Sequence, residues 1–174
     1  IFLFLAIALS AYLLSPIFNE RVDDGIKNYA KFSQVNETSR LSSVGYRMTF
    51  QLNSLEIIKK HPFIGVGTGD FPQEYKKVNM VNTPGIANAT NPHNMYILIT
   101  TQLGILGLIS FFSIFYFQFK IAFRSTNILV RNVGFALPVM FLVIMLSDSY
   151  LLGHFTTLMF IFFSSFLYRD FENS

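Results

Sequence analysis

The sequence predicts an all-α integral membrane protein, on three observations. Of the 174 residues 52% are hydrophobic, phenylalanine alone supplying 21, and only 13% are charged, about half the share of a soluble domain. The apolar residues fall in runs long enough to cross a bilayer. One polar segment, residues 19–95, holds seven of the ten acids and nine of the thirteen bases. The net charge of +3 is not clustered, so no nucleic-acid partner is expected. The absence of cysteine removes disulfides and thiolate metal sites.

The chain opens at Ile1, without Met and inside an apolar run, so a fragment of a longer protein is expected. Residues 1–18 lack the basic start and cleavage site of a signal peptide and read as a truncated transmembrane helix ending near Pro16. Residues 19–95 form a large loop. Residues 96–119 are uncharged and long enough to span. Residues 120–132 carry Lys120, Arg124 and Arg131 without an acid, which marks a cytoplasmic loop. Residues 133–168 are apolar except near 147–154, so two short spans with a turn there are expected, followed by a cytoplasmic tail at 169–174. The large loop and the 147–154 turn then share the outer face.

Within the loop, residues 46–60 read as an amphipathic helix. Met48, Leu52, Leu55 and Ile58 form its apolar stripe, and Pro62 ends it. Gly65 and Gly67 mark a structural turn, its spacing unlike a dinucleotide fingerprint. Residues 78–92 look like an irregular flexible loop. Asp23 and Asp24 lie in "NERVDDG", which reads as a solvated turn. With no third carboxylate nearby, no metal is expected.

Six residues have a chemical reading beside a structural one. His93, at the mouth of the 96–119 run, suits a general base, since a neutral imidazole accepts a proton near neutral pH; the alternative is an interfacial histidine capping the helix. Asn94 can orient a substrate or the ring. Arg47 suits phosphate, which guanidinium grips through paired hydrogen bonds, or is simply solvated; Arg40 is a further candidate of the same kind. Asp148 and His154 interrupt the last apolar stretch. They either reach water at the interface or support His93 from behind.

The ordered set Arg47, His61-Pro62, Gly65, Gly67, Phe71, His93-Asn94, Gly104 and Gly107 resembles the C-terminal conserved region of the O-antigen ligase and O-antigen polymerase superfamily, over about residues 40–118. Members often carry a tryptophan about one turn after the arginine; this chain has Phe50 and Gln51 there. The resemblance implies a fragment of a multi-spanning GT-C-type fold in the bacterial inner membrane, with short helices in its large periplasmic loop. It implies a glycosyltransferase that needs no cofactor and moves a glycan from an undecaprenyl-diphosphate carrier to an acceptor hydroxyl on a glycan, lipid A–core or protein. His93 then matches the essential histidine, and Arg47 a diphosphate-binding arginine. The competing readings are a transporter or flippase, which calls for ionisable groups near the midplane and repeated halves, and a non-catalytic membrane subunit.

Overall fold

A computed structural model describes residues 10, 12–33 and 42–168, with the side chains of 28–33 left aside. Among these the fold is all-helical, and the chain divides into two compact units at Thr49.

In the first unit, helix α1 runs Pro16–Ser33. Helical residues 12–14 stop before Ser15, so the first run does end near Pro16 as expected, and Pro16 then opens a second helix. Ser15 accepts from the Phe18 N–H at 3.3 Å, and proline needs no donor in the first turn. Asp23 lies inside α1 and not in a solvated turn, and its Oδ1 accepts from the Tyr12 hydroxyl at 2.8 Å. Helix α2, Ser43–Lys60, begins earlier than expected because Ser42 caps it, its Oγ accepting from the Gly45 N–H at 3.0 Å.

The second unit starts at Phe50 and holds the rest of α2. There the expected apolar stripe is not the buried face. Leu52 and Leu55 are exposed, whereas Asn53, Ser54 and Ile57 are buried. Asn53 Nδ2 reaches Thr83 Oγ1 at 2.8 Å and the Tyr75 hydroxyl at 3.2 Å, so hydrogen bonding decides the orientation that hydrophobicity alone would reverse. Its partners sit on and just after helix α3, Phe71–Asn82. The start of the expected irregular loop at 78–92 is thus helical, with proline in the permissive first turn at Pro72. The remainder is tied down by Asn79, which donates to the Ile86 carbonyl at 2.8 Å and to Asn88 Oδ1 at 3.1 Å. Burial raises the Tyr75 phenol pKa, opposed by the Asn53 hydrogen bond.

Helix α4, Met95–Arg124, is broken at Gly104 (φ 65°, ψ −166°), so the expected continuous span at 96–119 is two helical segments. The backbone of 62–67 enters the break. Val66 and Gly67 N–H donate to the Thr101 and Gln102 carbonyls at 3.0 and 2.9 Å, and Ile105 and Leu106 N–H donate to the Pro62 and Phe63 carbonyls at 2.9 and 3.3 Å. Groups freed by the kink are thereby re-paired. The approach demands glycine on both sides. A Cβ at Gly65 would strike the Gln102 backbone, and one at Gly104 the Phe63 backbone. The segment from Ile105 to Arg124 is about 30 Å long, one hydrocarbon thickness.

The loop expected at 120–132 shrinks to 125–127, because α4 ends at Arg124 and helix α5 spans Ile128–Ile144. Asn127 caps α5, accepting from Leu129 and Val130 N–H. A 3-10 turn at Tyr150–Leu152 leads to helix α6, His154–Leu167. Phenylalanines fill the interior of this group: Phe141 packs on Phe160 at 4.7 Å, and Phe160 on Phe115 at 5.8 Å. Gln118 Nε2 donates to Ser164 Oγ at 2.9 Å, joining α4 to α6. Of the described helices α4 alone is both long and apolar enough to cross a membrane. Exposed faces rich in phenylalanine, such as Phe112, Phe123 and Phe162, require lipid or further protein as cover.

Candidate functional site

The start of α4 meets the end of α5. Helix N-termini leave N–H groups unpaired and C-termini leave carbonyls unpaired, and here each supplies the other. Met95 N–H donates to the Met145 carbonyl at 3.0 Å, Asn94 Nδ2 to that of Leu146 at 3.1 Å, and the Tyr96 hydroxyl to that of Leu142 at 2.5 Å. Asn94 Oδ1 also accepts from Ile97 N–H at 3.1 Å. Both ends of the Asn94 amide are therefore engaged in building the junction.

His93 sits at this junction with a left-handed backbone, φ 51°, the one non-glycine positive φ among the described residues. Buried Pro92 precedes it, and its N–H donates to Asn91 Oδ1 at 2.8 Å. The imidazole Nδ1 lies 3.1 Å from Asp148 Oδ1, with the two side chains 32% and 37% exposed. Asp148 Oδ1 also accepts from Ser149 N–H at 2.7 Å. A carboxylate at Nδ1 assigns the ring proton to that nitrogen and leaves the Nε2 lone pair as acceptor. One face of the ring stacks on Phe50, 6.0 Å between centroids at 22°. Phe50 in turn meets the edge of Tyr75 at 5.8 Å.

The ring is thus oriented by a carboxylate, backed by an aromatic, and partly open to solvent. That arrangement can take a proton from a bound hydroxyl and hold the resulting imidazolium. Asp148 also lines a concavity of about 320 Å³ with His154, which is exposed at the start of α6. Gly65 and Gly67 have φ of 69° and 108° and belong to the backbone strap in the α4 break. Arg47 is exposed on α2, in the first unit. Arg40 lies outside the described residues.

Sequence reasoning missed Phe50 and Asn53. Phe50 stands in the region where a tryptophan was expected, which is the one signal that pointed to it. Nothing local marks the contact between His93 and Asp148, which are 55 positions apart.

Comparison with known proteins adds one match. Residues 1–112 match a family described as O-antigen ligase. The matched span contains Arg47, Gly65, Gly67, His93, Asn94 and Gly104, and stops before Asp148 and His154. No curated protein matches the chain.

Proposed function

The chain belongs to the O-antigen ligase family, a family of membrane glycan-processing enzymes acting on lipid-linked glycans and their acceptors, and from that premise we propose that His93 is the general base of a metal-independent glycosyl transfer. The donor is a glycan on undecaprenyl diphosphate, the acceptor a hydroxyl, and the reaction takes place at the periplasmic face of the bacterial inner membrane. His93 Nε2 removes the acceptor proton as the hydroxyl oxygen attacks the anomeric carbon. The new glycosidic bond forms as the bond to the diphosphate oxygen breaks, with inversion, and undecaprenyl diphosphate leaves. Asp148 stabilises the imidazolium. Arg47, with Arg40 as a further candidate, offsets charge on the departing diphosphate, a task that guanidinium performs without a metal. The acceptor class decides between polymerase and ligase, and both share this chemistry.

The observation that carries the reading is the His93–Asp148 contact at 3.1 Å, which leaves the second ring nitrogen directed elsewhere. The break in α4 is the feature that a transporter reading would claim, because unwound backbone in transporters coordinates substrate. Here the carbonyls of Thr101 and Gln102 and the N–H groups of Ile105 and Leu106 are taken by the 62–67 strap, which argues for a scaffold.

The test is transfer from purified undecaprenyl-diphosphate-linked saccharide by the full-length protein. His93→Ala is expected to lower the rate by about a thousandfold with membrane insertion unchanged. Transfer near the wild-type rate would remove the general base.

A further inference from the structure

We propose that the turn between α5 and α6 is the subsite that seats the acceptor saccharide, an assignment that rests on His93 being the base. The concavity there, about 320 Å³, is lined by Asp148, Ser149, Tyr150, His154 and Phe155 among others. Its chemistry is that of sugar recognition. An apolar ring face stacks on the C–H face of a pyranose, while carboxylate and imidazole take its hydroxyls. Phe155 is 90% exposed, and Tyr150 supplies a second ring. Asp148 Oδ1 is occupied by His93 and by Ser149 N–H, and Oδ2 has no partner among the described residues. Ser149 is 5% exposed, and its hydroxyl is unpaired among the described residues, a cost that a ligand hydroxyl in the concavity would relieve. A sugar seated there lies one carboxylate away from the His93 ring, so the same side chain both orients the base and contacts the acceptor.

The closing experiment uses the full-length protein in proteoliposomes, with donor and acceptor varied independently. Two acceptors serve as probes: lipid A–core, and a single lipid-linked repeat unit. The shared saccharide chemistry is the object, and the two arms tell which source supplies it. Phe155→Leu and His154→Ala are expected to raise the KM for the productive acceptor about five- to tenfold and to leave the donor KM where it is. Phe155→Tyr is expected to restore the acceptor KM. A phenylalanine that merely anchors the turn in lipid would be replaced well by leucine, so an unchanged acceptor KM in Phe155→Leu overturns the subsite. So does an equal rise in donor KM. His93→Ala, run alongside, separates the two claims. If it is inactive while Phe155→Leu binds acceptor normally, the subsite falls and the base stands; if it remains active, the base falls whatever Phe155 does.

Discussion

The chain leaves regular helix beside α4 in two places, and they are built from opposite materials. At Gly104 the break is filled by main chain alone. Four carbonyls and four N–H groups pair across it, and glycines provide the approach, so these main-chain groups are closed to a ligand. At residues 92–95 the departure is held largely by side chains: Asn91, Asn94, Asp148 and Tyr96. There one imidazole nitrogen and one carboxylate oxygen remain uncommitted. The lesson is that an irregularity in a membrane helix is a site only when its polar groups are left over. The first break is scaffold, and the second is a place where chemistry fits.

Four substitutions break or sharpen that contrast, besides the loss of His93. Gly104→Ala carries the largest expected structural effect. A methyl group there meets the Phe63 backbone at a left-handed residue, so a loss of about 3 kcal/mol or more is expected, read as reduced folded yield and a lower melting temperature in detergent. Asp148→Asn comes next. The fold should hold, and kcat should fall about a hundredfold because the tautomer and the imidazolium lose their carboxylate; single-turnover transfer measures it. Asn53→Ala should cost about 2 kcal/mol by stranding the Tyr75 hydroxyl and removing the donor to Thr83 Oγ1, with the transfer rate per folded molecule unchanged. Phe50→Leu is the mildest. It keeps an apolar cover but loses the stacked ring, for a change of about fivefold in kcat/KM. If Asp148→Asn melted the protein while Gly104→Ala merely slowed it, the roles assigned to the two breaks would have to be exchanged.

Helical character was legible in the sequence where it rested on apolar runs and on cap residues. The helices at 43–60, 128–144 and 154–167 cover the expected helix at 46–60 and the two spans expected within 133–168, but the first two start earlier than read. What was not legible came from pairing at a distance. The buried face of α2 follows Asn53, whose partners lie 22 to 30 positions away, so its hydrophobic pattern points to the wrong side. The helix at 16–33 was hidden because proline was read as a terminator, although Ser15-Pro16 is also a start signal. The break at Gly104 was hidden because hydropathy averages over it, and its cause lies some forty residues earlier in the 62–67 strap. At the candidate site, His93 stood out by its neighbours in sequence. Support from Asp148 was one of its two sequence readings; the 3.1 Å contact that selects it, and the ring of Phe50, required the folded chain.

The backbone at residue 93 has one further consequence. A left-handed conformation suits glycine and disfavours any residue with a Cβ by about 1 kcal/mol. The backbone angle taken alone would favour glycine between Pro92 and Asn94, whereas the Asp148 and Phe50 contacts of the ring favour histidine. On the proposed reading of His93 as the base, the junction accepts a backbone cost to keep a ring in place, the trade that protein engineers meet when they stabilise an enzyme and find it inert.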